Sequence, residues 1–124
     1  MDKKYLEKLS PEEKYVIVNK GTEHPFSDKY TEHYEEGKYC CRACGNELYK
    51  SNSKFSSGCG WPSFDEEIEG SVTRYRDTSI GMIRVEICCG NCDGHLGHVF
   101  EGEGFTSKNT RHCVNSLSLK FKAK

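Results

Sequence analysis

Cysteine and histidine are the residue types that could carry chemistry in this chain, which has eight cysteines and five histidines among 124 residues. Four of the cysteines form two C-x-x-C pairs, Cys41 with Cys44 and Cys89 with Cys92. A sharp turn brings the two thiolates of such a pair together, and two pairs supply the four sulfurs of a tetrahedral Zn²⁺ site. The pattern therefore predicts a structural zinc that stabilises the fold and has no open position for a substrate.

Two alternatives stay open for these thiols: four free cysteines in a reducing cell, or a disulfide pair. Cys40 and Cys88 directly precede the two pairs. Because adjacent residues of a strand point to opposite faces, neither is predicted as a ligand. We interpret both as small buried hydrophobic residues, and an auxiliary redox thiol is the alternative.

Cys59 lies between Gly58 and Gly60 and is followed by Trp61, the only tryptophan. The flanking glycines predict a mobile, accessible backbone around the thiol. A tryptophan next to such a turn more often packs on a surface than fills a core.

Cys113 lies in an alternating segment in which Arg111 and Asn115 share its face. A guanidinium group beside a thiol lowers the thiol pKa, and the thiolate is the nucleophile. An amide two residues further on could position a polar substrate. An inert buried cysteine beside an incidental arginine is the alternative interpretation.

His95 and His98 follow the second C-x-x-C pair at a spacing of three residues. A metal-binding pair is conceivable, but four cysteines nearby already account for one metal. A structural role and an acid–base role both stay open for the two histidines.

The elements that position these residues differ between the two parts of the chain. Residues 1–37 are predicted as helices and an ordered loop, with Ser10 as N-cap, Pro11 at the first helical position, Glu13 closing a capping box and Gly21 ending the helix. Residues 38–124 show short alternating runs between glycine and serine turns, which indicates antiparallel sheets in one domain.

Three strands are predicted in this second part. The first covers residues 70–76. The second covers 82–88, with Ile83, Val85 and Ile87 on one face and Arg84 and Glu86 on the other. The last covers about 111–121, with its core face formed by Leu117, Leu119 and Phe121.

The composition excludes several classes of protein. No apolar run approaches the ~20 residues that a membrane span requires. The net charge is −1, which argues against a protein that grips nucleic acid. The first nine residues contain no apolar signal sequence, so we expect a reducing, cytoplasmic setting.

Four motifs together resemble the MsrB-type methionine sulfoxide reductases, the peptide-methionine (R)-S-oxide reductases. They are residues 41–45 (CRACG), 58–64 (GCGWPSF), 89–100 (CGNCDGHLGHVF) and 111–116 (RHCVNS). Their order and spacing extend the resemblance from about residue 12 to Phe121. Each motif is moderately specific, and the four in order are highly specific.

The resemblance implies a role for each matching residue. Cys113 attacks the sulfoxide sulfur, and Cys59 is the resolving cysteine, a position that many relatives fill with threonine. Trp61 receives the substrate methyl group, with Phe64 and Phe105 as further substrate-binding residues. The residues that bind and protonate the sulfoxide oxygen, with Arg111 in the same site, are His95, His98 and Asn115.

The family also implies a fold and partners. The fold is mainly β, with two antiparallel sheets, short N-terminal helices and a structural zinc held by the four paired cysteines. The reaction needs no organic cofactor: Cys113 becomes a sulfenic acid, Cys59 condenses with it, and thioredoxin reduces the disulfide. The expected substrate is the R epimer of protein-bound methionine sulfoxide, and the expected state is a monomer without nucleic acid or membrane partners.

One stretch departs from the family pattern. After Phe100 the family often has an acid, followed by glycine and proline, that supports a histidine, whereas this chain has Glu101, Gly102 and Glu103. Which glutamate takes the place of the acid stays open. A zinc-ribbon binding module, a zinc hydrolase and a secreted disulfide protein are the competing classes.

Overall fold

The computed structural model describes residues 1–27, 30–79 and 81–124. Two short helices open the chain, α1 (Lys3–Leu6) and α2 (Pro11–Ile17). The predicted capping box is confirmed: Glu13 N donates to Ser10 Oγ at 3.1 Å, and Ser10 N donates to Glu13 Oε1 at 2.8 Å. Helix α2 ends at Ile17, before the predicted stop at Gly21.

Two antiparallel sheets make up the rest of the fold, as the family resemblance implies. The smaller sheet has the strand order β2-β1-β9 and the larger has the order β3-β4-β8-β7-β6-β5. The strands are β1 (Gly37–Cys41), β2 (Glu47–Lys50), β3 (Lys54–Phe55), β4 (Ser63–Phe64), β5 (Val72–Asp77), β6 (Arg84–Cys89), β7 (His95–Glu101), β8 (Thr110–Val114) and β9 (Leu119–Ala123). Two 3₁₀ turns, Ser51–Ser53 and Ser116–Ser118, join β2 to β3 and β8 to β9.

The predicted strand over residues 70–76 is confirmed as β5, and the strand over 82–88 is confirmed with a later start. Met82 and Ile83 are exposed and precede β6. Within β6 the two predicted faces are both used: Ile87 is fully buried in the core, and Glu86 on the other face is also buried. The second face of β6 is therefore not a solvated surface.

The prediction of one strand over residues 111–121 is wrong. This segment contains two strands, β8 and β9, which belong to different sheets. The 3₁₀ turn Ser116–Ser118 between them is buried, and it carries the chain from one sheet to the other. Leu119 is on the core side as predicted, whereas Leu117 lies in the turn.

An aromatic cluster fills the space between the sheets. Tyr49 of β2 stacks on Phe64 of β4 at 4.2 Å, and Tyr39 of β1 meets Phe64 edge-on at 5.1 Å. All three rings are fully buried. Burying one such side chain contributes about 1.5–3 kcal/mol, so this cluster is a main source of stability that joins the two sheets.

Among the described residues, no helix is both long and apolar enough to cross a membrane.

Candidate active site

The face of the larger sheet that points away from this aromatic core carries the candidate site. Glu86 of β6 pairs with His98 of β7, His98 pairs with Cys113 of β8, and Cys113 pairs with Ser63 of β4. Directly paired residues of antiparallel strands point to the same face, with Cβ atoms about 4.5–5.5 Å apart. The register therefore places the Cys113 thiol between a histidine and a serine.

A cavity of about 180 Å³ opens over this row of residues. Its lining joins the larger sheet to the Cys59 turn and to the segment after α2. The residues that line it are Thr22, Cys59, Trp61, Arg84, His95, Gly97, His98, Phe100, Arg111, Cys113 and Asn115. Seven residues predicted from the sequence are thus brought together: Cys59, Trp61, His95, His98, Arg111, Cys113 and Asn115.

The thiols of Cys59 and Cys113 both line this cavity and are close enough to hydrogen-bond to each other. The hydrogen bond from Cys113 lowers the pKa of Cys59 to about 4, against the opposing effect of burial, with help from Ser57 and Ser63. The same hydrogen bond, followed by burial, raises the pKa of Cys113, although Arg111 acts to lower it. Cys59 is therefore the more acidic of the two thiols.

The turn around Cys59 is anchored at Gly60. Gly60 has φ +97°, and a Cβ there would clash with Pro25 Cβ, so glycine is required. Its carbonyl oxygen accepts hydrogen bonds from Phe26 N at 2.6 Å and Thr31 Oγ1 at 3.3 Å. Gly58 has φ +76° and open space around it, so the turn has room on that side.

His95 is held by a buried carboxylate that the sequence analysis did not identify. Its Nδ1 donates to Glu86 Oε2 at 2.7 Å, and both side chains are more than nine-tenths buried. Glu86 also accepts from Lys20 Nζ at 3.1 Å and Cys88 Sγ at 3.2 Å. Burial acts to raise the pKa of Glu86, but these hydrogen bonds outweigh it and keep that pKa below its ordinary value.

The pKa of His95 is lowered by burial, while the Glu86 carboxylate acts in the opposite direction. Because a carboxylate only accepts hydrogen bonds, Nδ1 of His95 carries a proton. The other ring nitrogen of the neutral form is then free to accept a proton. Glu86 therefore sets the tautomer of the ring.

His98 has its own carboxylate. Its Nε2 donates to Asp77 Oδ2 at 2.7 Å, and Arg84 Nη2 donates to the same oxygen at 3.2 Å. The pKa of Asp77 lies well below its usual range because the Ser79 backbone N–H and then His98 donate hydrogen bonds to it. Asp77 is therefore an anion that accepts the hydrogen bond from His98 and orients its ring.

The two glutamates considered in place of the family's acid have other positions. Glu101 is exposed, whereas Glu103 binds Arg111 through Oε1 to Nε at 2.7 Å and Oε2 to Nη2 at 3.2 Å. In the described part of the chain neither glutamate is hydrogen-bonded to His95 or His98. Glu103 instead orients the guanidinium group that lowers the pKa of Cys113.

Asn115 and Trp61 are linked through the backbone of Glu23. Glu23 N donates to Asn115 Oδ1 at 3.1 Å, and Trp61 Nε1 donates to Glu23 O at 3.0 Å. Asn115 Nδ2 donates to Leu96 O at 3.0 Å, which leaves one amide hydrogen for the cavity. The segment after α2 thus orients both the indole ring and the amide.

Two residues predicted to bind substrate lie outside the cavity. Phe64 is fully buried and stacked on Tyr49 between the sheets, so the structure places it in the core. Phe105 is half-exposed in the β7–β8 turn, with its ring centroid 5.8 Å from that of Phe55. Neither is among the residues that line the cavity.

The four paired cysteines form a cluster away from this cavity. Their sulfur atoms all lie within 4.8 Å of one another, with Cys41 to Cys92 at 3.6 Å and Cys44 to Cys89 at 3.5 Å. Four sulfurs at about 2.3 Å from a tetrahedral zinc would be about 3.8 Å apart. The donor set and its spacing fit a zinc ion, and the cluster could hold one.

Comparisons with known proteins agree with this geometry. A family model described as the SelR domain matches residues 9–123. The chain is 54% identical over 114 residues to "Peptide methionine sulfoxide reductase B2, chloroplastic" of Arabidopsis thaliana, which covers 91% of this chain and 55% of that protein. This chain thus spans about half the length of that relative.

Other relatives match over most of their length. "Peptide methionine sulfoxide reductase B5" of Oryza sativa subsp. japonica is 51% identical over 121 residues, which cover 97% of this chain and 88% of that protein. "Uncharacterized protein C216.04c" of Schizosaccharomyces pombe is 46% identical over 119 residues, which cover 94% and 86%.

Proposed function

Because the chain belongs to the SelR domain family of MsrB-type methionine sulfoxide reductases, which are oxidoreductases, we propose that it reduces the R epimer of methionine sulfoxide in oxidised proteins. In this proposal Cys113 attacks the sulfoxide and Cys59 resolves the intermediate. The observation that carries the proposal is the interaction of the two thiols in one cavity, with His98 directly opposite Cys113.

The first step needs a thiolate on Cys113 and a proton for the sulfoxide oxygen. Cys113 releases its proton, a step that the Arg111 guanidinium group favours, and the Cys113 sulfur then attacks the sulfoxide sulfur. His95 or His98, each supported by a carboxylate, supplies the proton that the oxygen needs. The substrate leaves as methionine, its S–O bond is broken, and the oxygen remains on Cys113 as a sulfenic acid.

The second step regenerates the dithiol. The Cys59 sulfur attacks the Cys113 sulfenic acid, a disulfide forms, and the oxygen leaves as water. A dithiol reductant of the thioredoxin type then reduces the disulfide through a mixed disulfide with one of the two cysteines. The open space at Gly58 gives the Cys59 turn room for this exchange.

Selection between the two sulfoxide epimers follows from the two kinds of wall around Cys113. Trp61 and Phe100 offer aromatic surface, which suits the methyl group. The histidines and the remaining amide hydrogen of Asn115 suit the oxygen. A tetrahedral sulfur that approaches one thiolate can satisfy both walls in only one configuration.

The proposed zinc would be held by Cys41, Cys44, Cys89 and Cys92. Four thiolates leave no position for a substrate, so the metal would supply stability to the fold and no reaction step.

The test is turnover of separated R and S epimers of a methionine sulfoxide peptide, with dithiothreitol or with thioredoxin and its reductase. We expect turnover of the R epimer only, none for Cys113→Ser, and normal rates for the control Cys40→Ser, which changes a buried cysteine in β1. Cys59→Ser should form about one equivalent of methionine rapidly and then stall with thioredoxin. Equal turnover of both epimers would overturn the proposed R specificity. Normal turnover of Cys59→Ser with thioredoxin would overturn the resolving role of Cys59.

A further inference from the structure

A second group of metal-binding side chains lies beneath the active site, apart from the four-cysteine cluster. Glu86, Cys88 and His95 each offer one ligand atom, and these three atoms all lie within 4.8 Å of one another. All three residues are buried. We propose that this group is a second zinc site, which fills when zinc exceeds one equivalent.

The donor set is the one that zinc prefers: a thiolate, an imidazole nitrogen and a carboxylate oxygen. Glu86 Oε2 lies 2.7 Å from His95 Nδ1 and 3.2 Å from Cys88 Sγ. Around a tetrahedral zinc these separations would be about 3.4 and 3.6 Å, from Zn–N and Zn–O of about 2.1 Å and Zn–S of about 2.3 Å. These two pairs of ligand atoms need to separate by less than 1 Å, and water can supply the fourth position.

Lys20 forms an ion pair with one of the proposed ligands, Glu86. Its Nζ lies 3.1 Å from Glu86 Oε1, and 63% of its side chain is exposed, so it can move into solvent without unfolding anything. While it is in place, its positive charge competes with a cation for the Glu86 carboxylate. Removing that charge should therefore tighten zinc binding, which is a result that a merely structural cluster would not produce.

Zinc at this position would occupy the nitrogen that His95 uses for Glu86. A ring bound through Nδ1 cannot carry a proton there, so it cannot form the doubly protonated imidazolium. This consequence rests on the proposed function of His95 as a proton donor. Excess zinc would then slow the first step of the reaction, whereas the binding itself does not depend on the proposed function.

The binding test uses the full-length Cys59→Ser/Cys113→Ser protein loaded with one equivalent of zinc, so that the active-site thiols cannot bind the probe. Cobalt(II) is added, and the thiolate-to-cobalt absorption band reports coordination by a cysteine. We expect a second equivalent to bind with this band and to be displaced by zinc. Absence of a second equivalent would overturn the site.

Two further variants assign the site. Cys88→Ser in the same background should weaken the second equivalent at least tenfold and remove the thiolate band. Cys40→Ser is the matched control, because Cys40 precedes Cys41 as Cys88 precedes Cys89, and it should change nothing. Unchanged binding in Cys88→Ser would overturn the assignment.

If Cys88→Ser does not fold, the Lys20→Met variant tests the site instead. Lys20 has a largely exposed side chain, so this substitution should leave the fold intact. It should tighten the second equivalent several-fold and leave the first zinc in place. An unchanged or weaker second equivalent in this variant would overturn the proposal. Either failure would leave the epimer assay of the proposed function untouched.

Discussion

Replacing Cys59 with serine should convert Cys113 from a protonated thiol into a partly ionised one at neutral pH. The largest influence that raises the pKa of Cys113 is its hydrogen bond with Cys59. In Cys59→Ser this charge is gone, while Arg111, held by Glu103 at 2.7 Å, still acts to lower the pKa of Cys113. The variant therefore loses the resolving thiol and gains thiolate at Cys113.

The size of the effect follows from the thiolate fraction. An ordinary cysteine with a pKa of about 8.5 is about 3% thiolate at pH 7. The wild-type pair instead places its charge on Cys59, whose pKa is about 4, and Cys113 falls far below that fraction. Each unit by which the pKa of Cys113 falls raises its thiolate fraction about tenfold. Its alkylation at pH 7 should thus become at least about tenfold faster.

The assay is iodoacetamide alkylation of the reduced, zinc-loaded protein across pH, with each cysteine followed by peptide mass spectrometry. In the wild type, Cys59 should react before Cys113. The control Cys40→Ser should leave both rates unchanged, since Cys40 lies in the other sheet. Alkylation of Cys113 that is unchanged or slower in Cys59→Ser would refute the inference that Cys59 raises the pKa of Cys113.

Three further outcomes are expected. Glu86→Gln removes an anion that acts to raise the pKa of His95, so the alkaline limb of the kcat profile should move to lower pH, whereas the exposed control Glu101→Gln should not move it. Cys44→Ser should release zinc in metal analysis and lower Tm by more than about 10 °C in calorimetry, and one tightly held zinc in this variant would contradict the cluster. The free energy of unfolding should fall by about 3 kcal/mol between pH 6.5 and pH 4 in urea titrations. Burial lowers the pKa of His112 to about 4, so the neutral ring contributes its full stability above pH 6.5, and this stability is lost as the pH falls. A free energy of unfolding that does not change over this pH range would refute the prediction.

Local chemistry made the N-terminal helices and the strands β5 and β6 predictable. The capping box of α2 depends only on Ser10 and Glu13, three residues apart, and the sequence shows both. The end of β8 could not be predicted, because the turn after it depends on distant partners. Asn115 N donates to Leu96 O at 2.9 Å, and Ser118 Oγ donates to His95 O at 2.8 Å. Neither contact can be inferred from the alternating hydrophobic pattern of residues 111–121.

The thiols and histidines of the site could be predicted because residue type and motif identify them. The carboxylates that bind the two histidines could not be predicted, because the strand register decides which carboxylate lies beside which imidazole ring. Glu86 stands in an alternating strand, where a charged residue is ordinarily solvated, and only its pairing with His98 shows that its face is the site. Asp77 reaches His98 from β5, two strands away.

The four-cysteine cluster and the cavity are separate sites, but the backbone joins them closely. Gly94 directly precedes His95, and its carbonyl oxygen accepts from Cys89 N at 2.9 Å. On the other side, Arg42 N donates to Ser118 O at 2.9 Å, and Ser118 Oγ donates to His95 O.

Both C-x-x-C pairs are therefore linked closely to His95. The pair Cys89–Cys92 is hydrogen-bonded to Gly94, the residue before His95, and the pair Cys41–Cys44 is linked to His95 through Ser118. A metal that holds both pairs would fix the backbone of this histidine from two directions. Its influence on catalysis would be geometric, because a displacement of either pair would change the position of the ring relative to Glu86 and to the cavity.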